Sequence, residues 1–270
     1  MSVSKEIVKN KNEENAFYFL KKQNMLINIT QYYKLAISYK LLNIALLAIS
    51  VFIIFKITNV DSNITDGDIL AFDSLGLSHV CNQHDTFDME LNCITELSKT
   101  LQDRYNNICI TDNRLVLEPE FFIKSEENGC CFDRSRFIEK FLEYYGFKIR
   151  HVSLYVFKSN LPWSFLDKAI ISHAASEVLT RKGWMYLGSL NNFIALDNNE
   201  NPLTIHRYKK IIRSKENNLV ENQNLDLFVK NDNFWAIYGL YSRSGNFYPP
   251  AIPLLPKFSW SQLVYNLHHD

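Results

Sequence analysis

The sequence lacks the short patterns that indicate several common functions. It has no glycine-rich phosphate loop, no CxxC pair and no repeat of fixed period. These absences argue against nucleotide binding, zinc ribbons and solenoid repeats. Net charge is also missing, because 29 basic residues balance 29 acidic ones. No global field therefore favours nucleic acid, and we expect no nucleic-acid partner, no cofactor and no bound metal.

An apolar run near the N-terminus is the first positive feature. Residues 41–55 read LLNIALLAISVFIIF, with Asn43 and Ser50 as the only polar side chains. This is short for a membrane span, which needs about 20 residues, but the run lengthens if Lys56 extends its amine to the interface. We interpret residues 40–57 as a transmembrane anchor; a buried core helix is the alternative.

Charged residues on the two sides of this run predict its orientation. Lysines precede the run and aspartates follow it, an asymmetry that places the lysine side in the cytoplasm. They are Lys21, Lys22, Lys34 and Lys40 before the run, and Asp61, Asp66, Asp68 and Asp73 after it. No A-x-A cleavage pattern follows, which favours a retained anchor over a removed signal peptide. We expect a single-pass membrane protein whose N-terminus is cytoplasmic and whose body is periplasmic or extracellular.

All the cysteines of the chain lie beyond the apolar run. They are Cys81, Cys93, Cys109, Cys130 and Cys131. An exported body would hold them in an oxidising compartment, where two disulfides would leave one thiol free, and their spacing does not say which cysteines pair. His79, Cys81 and His84 have metal-like spacing but no clear fourth ligand, so Cys81 is more simply half of a disulfide.

The body reads as helices followed by consecutive strands. Apolar residues three or four apart predict helices over 88–108 and 131–145, the second ending at Gly146 as a C-cap. The stretch 114–123 reads as strand or loop, because Pro119 ends any regular element. Strand composition follows at 147–157, 169–180, 183–190 and 192–197. This order indicates an α+β fold with antiparallel strands.

The composition divides the chain into five segments. Residues 1–39 form an N-terminal cytoplasmic segment, 40–57 the transmembrane anchor, 58–115 a linker and helical subdomain, 116–215 the core, and 216–270 a C-terminal extension rich in aromatic residues and proline. The linker itself covers 58–74. We expect the extension to pack irregularly across the core.

The cysteine pair that opens the second helix is the candidate for chemistry. A cysteine at a helix N-terminus lies at the positive end of the helix dipole, which stabilises a thiolate. The base would be His173, which shares a strand face with Glu177 and can therefore face a helix packed on the sheet. A third group must orient the imidazole, and the candidates are Asp197, Asn191 and Asn192.

These residues occur in the order of a known motif. The motif is G-x-C opening a helix, then G-[I/F]-x-x-R entering a strand, then H-x-x-x-E, then a G-W strand. The matching residues are Gly129-Cys130-Cys131 with Asp133, Gly146-Phe147-Lys148-Ile149-Arg150, His173 to Glu177, and Gly183-Trp184. Over residues 125–200 the chain thus resembles the transglutaminase-like branch of the papain-like cysteine enzymes. The resemblance implies a papain/transglutaminase-like core, in which the cysteine-bearing helix packs on an antiparallel sheet, with Cys131 as nucleophile and Cys130 as bystander or disulfide half.

Two positions depart from the family's pattern. Ala175 stands where an aromatic residue is usual, two residues after the histidine. Gly188 stands four residues after the tryptophan, where the family has the aspartate that orients the histidine. Asp197 can substitute if the intervening residues form a bulge or short hairpin, and Asn191 or Asn192 can do so as asparagine does in papain-like enzymes.

The resemblance and the anchor lead to two hypotheses of function. The favoured one is a membrane-anchored cysteine hydrolase or acyl transferase, in which Cys131 attacks an amide or ester carbonyl and His173 transfers the proton. Bacterial members of the family accompany cell-envelope glycan systems, so the resemblance allows a protein or an envelope-glycan-linked substrate. The alternative, which Gly188 supports, is a catalytically decayed domain that serves as a membrane-anchored binding or assembly module.

Overall fold

The chain forms two compact units, residues 1–57 and residues 58–270. The computed structural model describes residues 22, 25, 33–35, 37–105, 118–125, 129–156, 171–190, 192–214, 234–241 and 257–267. The first unit contains the apolar helix, and the second is a body of helices and strands.

Helix α1 (Tyr33–Thr58) contains the apolar run and is long and apolar enough to cross a membrane. Its 26 residues extend about 39 Å at 1.5 Å per residue, against a hydrocarbon core of about 30 Å. Its apolar side chains are exposed rather than packed in a core. The prediction of an N-terminal apolar helix is confirmed, and the helix begins before the predicted residue 40.

Among the described residues of the body, five helices precede the sheet. They are α2 (Asp66–Ser74), α3 (Ser78–Cys81), α4 (Phe87–Arg104), α5 (Pro119–Lys124) and α6 (Cys131–Tyr144). Helix α4 confirms the helix predicted at 88–108, although it ends at Arg104. The prediction of strand or loop at 114–123 is wrong from Pro119 onward. Proline is favoured in the first turn of a helix, where its missing amide donor costs nothing.

The residues at the two ends of α6 explain why the helix begins and ends close to the predicted positions. Asp133 folds back so that its Oδ2 accepts the Cys130 amide at 2.8 Å. A side chain at Gly129 would collide with it, since an added Cβ would lie 2.2 Å from the Asp133 Cβ. At the other end Gly146 has φ 88°, the left-handed conformation that ends many helices. Glycine and aspartate around the cysteines are therefore required by the helix start itself.

Within the described residues, the main sheet has four strands in the order β3-β2-β1-β4, all antiparallel. They are β1 (Lys148–Val156), β2 (Ile171–Thr180), β3 (Gly183–Gly188) and β4 (Phe234–Tyr238). Helix α7 (Ile205–Ser214) follows β3, a short pair joins β5 (Leu240–Tyr241) to β6 (Lys257–Phe258), and a 3₁₀ helix (Leu263–Leu267) comes last among the described elements. The predicted combination of helices with an antiparallel sheet is confirmed.

The two faces of the main sheet are covered by different helices. On one face Val178 and Leu187 belong to the apolar core that includes Phe141 of α6. On the other face Leu154 belongs to a core that includes Tyr208 of α7. We call these the α6 face and the α7 face. Because side chains alternate along a strand, the strand register decides which residues lie on each.

The predicted linker at 58–74 is attached to the body along much of its length. Thr58 is buried, and the Val60 amide donates to the Phe258 carbonyl at 2.8 Å. The residues from 66 to 74 form α2 rather than a polar connection. Asp68, one of the aspartates that follow the apolar run, is buried in an ion pair with Lys140 of α6, with N and O 2.8 Å apart.

The C-terminal part of the body is more regular than predicted. The expected irregular extension at 216–270 contains β4, which pairs with β1 and completes the main sheet. The strand expected at 192–197 is reduced to isolated bridges from Ile194 and Leu196. Helix α7 was not predicted, although it presents Ile205 and Tyr208 to the core.

Candidate functional site

Cys131 opens α6 and lies at one end of the α6 face. Its side chain is 5% exposed and packs with Phe132 and Ala174, next to Leu190. Burial raises the pKa of the neighbouring Tyr155 hydroxyl on β1, and the Ser153 side chain offsets part of this increase. The thiol therefore lies in an apolar corner between the start of α6 and the strands below it.

The two adjacent cysteines of the opening motif are in different states. Cys130 is disulfide-bonded, whereas Cys131 is a free buried thiol. A second disulfide joins Cys81 of α3 to Cys93 of α4. Cys130 is thus a disulfide half, as the resemblance allowed, and Cys131 keeps its sulfur.

The metal-like spacing around Cys81 does not produce a metal site. The Cys81 sulfur is bonded to Cys93. His79 Nδ1 lies 3.0 Å from the Gly76 carbonyl oxygen, and His84 Nε2 lies 2.7 Å from that of Tyr145. Each of the three residues therefore already has a structural partner.

The strand register places His173 on the other side of the sheet from Cys131. In the β1–β2 ladder His173 pairs with Leu154, and Ala174 pairs with Ser153. Leu154 belongs to the core of the α7 face, whereas Ala174 packs against Cys131. Because successive side chains of a strand point to opposite faces, the buried His173 imidazole lies on the α7 face.

The predicted pairing of Cys131 with His173 is corrected by this register. His173 and Glu177 do share one face, but α6 covers the opposite one. Alternation along a strand is a local property, whereas the face that a helix covers depends on tertiary packing. The structure therefore does not bring the two predicted catalytic side chains together on one face.

The histidine that the sheet presents to α6 is His151, a residue that no sequence pattern singles out. Its Nδ1 lies 2.6 Å from Glu139 Oε1 and its Nε2 lies 3.2 Å from Ser153 Oγ. Tyr241 stacks on the imidazole, with ring centroids 4.0 Å apart, and its hydroxyl donates to Glu139 Oε2 at 3.0 Å. The order carboxylate, imidazole, hydroxyl is that of a Ser-His-acid triad.

Burial indicates that this triad-like group has a structural rather than a catalytic role. Glu139, His151 and Ser153 are almost fully buried. The Ser153 hydroxyl donates to the Leu240 carbonyl at 2.6 Å, so its proton is engaged away from the imidazole. A nucleophile must reach its substrate, and Ser153 is only 1% exposed. The group joins α6, β1 and β5 through hydrogen bonds.

Donors around Glu139 keep its carboxylate charged. The hydroxyls of Ser135 and Ser176 each donate to Oε1 at 2.9 Å. Burial acts to raise the pKa of Glu139, but His151 and Arg136 outweigh it and hold that pKa below its ordinary value. The α6 face therefore contains a buried anion that is solvated by side chains.

The α7 face buries an ion pair. The Arg150 Nε and Nη2 donate to Glu177 Oε2 at 2.9 and 2.5 Å. Oε1 of Glu177 accepts the Ile205 amide at 2.7 Å and the Tyr238 hydroxyl at 3.1 Å. Three ring centroids lie 4.2, 4.3 and 4.6 Å from the guanidinium carbon: Trp184, Tyr238 and Tyr265. Two residues of the ordered motif, Arg150 and Glu177, thus hold β1, β2 and α7 together.

Two of the candidates for a third catalytic group use their oxygens elsewhere. Asp197 Oδ1 accepts the Asn199 and Asn201 amides at 2.9 and 2.8 Å, so this carboxylate holds its own turn. Asn192 Oδ1 accepts the Ser98 hydroxyl of α4 at 3.1 Å. The prediction that Asp197 orients a catalytic histidine is therefore not supported by its contacts.

Of the two remaining positions, Gly188 alone lies among the described residues. Asn191 lies outside the described residues. Gly188 pairs with Ala175 in the β2–β3 ladder, so this position lies on the face that Ala175 shares with His173. The family's aspartate would lie there, and glycine brings no carboxylate to it.

Comparison of the chain with models of known protein families, with curated proteins and with solved structures finds no match.

Proposed function

We propose that residues 58–270 form a transglutaminase-like domain that has lost its catalytic pairing and serves as a membrane-anchored binding or assembly module. The observation that carries this proposal is the register of β2, which puts His173 on the α7 face while Cys131 lies on the α6 face. A cysteine nucleophile needs a base within hydrogen-bond reach. The papain-like descent is inferred from the ordered motif and from a cysteine-bearing helix packed on an antiparallel sheet.

The surroundings of the thiol also support a non-catalytic role. The histidine on its own face, His151, already contacts Glu139 and Ser153 with its two ring nitrogens. The position of the family's orienting carboxylate is Gly188. Cys131 itself is 5% exposed, which leaves a substrate carbonyl little access to the sulfur.

The proposed place of the module is the outer side of a membrane. Helix α1 supplies the anchor by its length and apolarity. The disulfide between Cys81 and Cys93 is typical of an oxidising compartment. Lysines before the helix and aspartates after it favour a cytoplasmic N-terminus.

A second candidate is the cysteine hydrolase or acyl transferase, and the state of the cysteines favours it. Cys131 remains a free thiol at the N-terminus of a 14-residue helix, beside an oxidised Cys130. Helix N-termini favour thiolates, which are the reactive form. In this reading the Cys131 thiolate would attack an amide or ester carbonyl and become acylated, with release of the amine or alcohol. Water or an amine would then accept the acyl group and release the thiol.

Alkylation of the thiol separates the two candidates. The full chain, purified in detergent without reductant, is treated with iodoacetamide at neutral pH, and the modified residue is identified by peptide mass spectrometry. The module proposal predicts that Cys131 reacts far more slowly in the folded chain than after unfolding in urea. Cys131→Ser is the control that assigns the signal.

The enzyme reading predicts the opposite result. Cys131 would then react rapidly in the folded chain, and His173→Ala would slow the reaction because the imidazole would be sustaining the thiolate. Rapid alkylation that depends on His173 would sink the module proposal. Slow alkylation that His173→Ala leaves unchanged supports it.

A further inference from the structure

The last described segment of the chain presents an exposed apolar surface. Trp260, Val264 and Leu267 are 38%, 47% and 77% exposed, and Phe258 lies beside Trp260 with ring centroids 5.3 Å apart. We call these four residues the C-terminal patch. In a 3₁₀ helix, residues three apart lie above one another, so Val264 and Leu267 share one side of it.

The opposite sides of the same segment fix the C-terminal patch to the body. Tyr265 packs against Arg150, and Asn266 Oδ1 accepts the Tyr238 amide at 2.8 Å. The Ser259 amide donates to the Gly239 carbonyl at 2.8 Å. An added Cβ at Gly239 would lie 2.7 Å from the Ser259 carbonyl oxygen, so the segment sits directly on the backbone of the body. The exposed side chains therefore have a defined direction.

The chain that leaves the apolar helix pairs with this same segment. Asn59 forms a parallel bridge with Phe258, and the Val60 amide donates to the Phe258 carbonyl at 2.8 Å. Asn59 is three residues beyond Lys56, the last charged side chain of α1. Three residues extend at most about 11 Å, and a head-group layer is roughly 5–8 Å thick. If Lys56 lies at the interface, Asn59 lies within about 11 Å of it, and Phe258 is the bridge partner of Asn59.

We propose that the C-terminal patch is a second membrane contact, which inserts into the head-group layer of the bilayer. This inference rests on the membrane anchor of the proposed function. Tryptophan is favoured at membrane interfaces, and exposed apolar side chains beside it gain by burial there. The bilayer thus covers a surface that the described body leaves in water.

Quenching of tryptophan fluorescence by brominated lipid tests this contact. The full chain is reconstituted into phosphatidylcholine vesicles with and without a lipid that carries bromine near the head-group end of its acyl chains. Bromine quenches only nearby tryptophans. Trp260→Phe is expected to remove a large share of the quenching seen in the wild type.

Trp235→Phe is the matched control. Trp235 is 49% exposed and lies on β4, outside the C-terminal patch. This variant should keep the wild-type quenching. The pair Val264→Asn and Leu267→Asn, which leaves all tryptophans in place, should reduce quenching as well.

The outcomes separate this inference from the anchor on which it rests. If alkaline carbonate extracts the chain from the vesicles, α1 is not an anchor and both proposals of membrane location fail. If the chain stays in the membrane and Trp260→Phe leaves the quenching unchanged, the anchor stands and the second contact is overturned.

Discussion

The two faces of the main sheet each bury a glutamate, and they accommodate its charge in different ways. On the α6 face Glu139 is held by hydroxyls and by His151. On the α7 face Glu177 pairs with Arg150, which is enclosed by aromatic rings. The first arrangement surrounds the carboxylate with several different donors, and the second pairs it with a single guanidinium.

The direction of the two pKa shifts expresses this difference. Burial acts to raise both pKa values. His151 and Arg136 reverse that effect for Glu139, whose pKa is lowered. Arg150 does not fully reverse it for Glu177, whose pKa is raised. Buried charge near a cysteine motif is therefore not by itself a sign of catalysis, since both networks join elements of the fold.

The largest effect is expected from breaking the ion pair of the α7 face. Arg150→Met should reduce the free energy of unfolding of the body by about 3–5 kcal/mol, because it leaves Glu177 buried without its charged partner. Urea unfolding of the detergent-solubilised chain, followed by tryptophan fluorescence, measures this loss.

A double variant is the control for that prediction. Arg150→Met combined with Glu177→Leu removes both charges and should recover much of the lost stability. If the double variant loses at least as much unfolding free energy as the two single variants lose together, the ion pair is not the source of the effect.

The next largest effect concerns the helices on the α6 face. The disulfide between Cys81 and Cys93 has a sequence separation of 12, and removing such a bridge costs about 2–3 kcal/mol. Replacing both cysteines by serine should lower the stability of the body by this amount. Since both sulfurs lie in the core that contains Phe137 and Phe141 of α6, the loss should be accompanied by faster amide exchange in α4.

Reductant provides an independent check on the disulfide. Dithiothreitol should destabilise the wild type but have a smaller effect on the double serine variant. Equal effects on the two proteins would mean that the stability resides in another disulfide, that of Cys130.

A smaller effect separates the two glutamates by its sign. The lowered pKa of Glu139 means that its stabilisation is present above the ordinary value of 4.5 and is lost as pH falls through the lowered value. The raised pKa of Glu177 means that its contribution is present below 4.5 and is lost as pH rises through the raised value. Urea unfolding of the wild type, Glu139→Gln and Glu177→Gln at a series of pH values measures both.

The comparison is expressed as the stability of the wild type minus that of each variant. For Glu139→Gln this difference should shrink below pH 4.5. For Glu177→Gln it should instead shrink as pH rises above 4.5. The same trend in both variants would mean that the two faces do not treat buried charge differently.

The parts of this fold that sequence patterns predicted are those set by neighbouring residues. The apolar face and the left-handed Gly146 define α6, and strand composition defines β1 to β3. The α+β class with antiparallel strands follows from their order. Pro119 was misread because proline both ends strands and starts helices.

The parts that sequence patterns missed depend on distant residues. Strand β4 comes from a segment more than 70 residues beyond the β1 strand with which it pairs. The contact of His151 with Glu139 depends on which face α6 covers, and the same fact overturned the pairing of Cys131 with His173. The alternation of side chains along a strand correctly divides its residues between the two faces of the sheet. It does not say which face α6 covers.

The smallest expected effect tests that last point directly. Cys131→Ala and His173→Ala each remove a buried side chain and should each destabilise the body. If the two side chains lie on opposite faces and share no partner, their losses should add to within about 0.5 kcal/mol. A double-mutant cycle from urea unfolding gives the coupling energy. Side chains that touch commonly couple by about 0.5–3 kcal/mol, so a coupling above 1 kcal/mol would restore the thiol–imidazole pair.

The cycle of Cys131→Ala with Ala174→Gly is the positive control. These two residues do pack together, so this cycle should show coupling where the first cycle shows none.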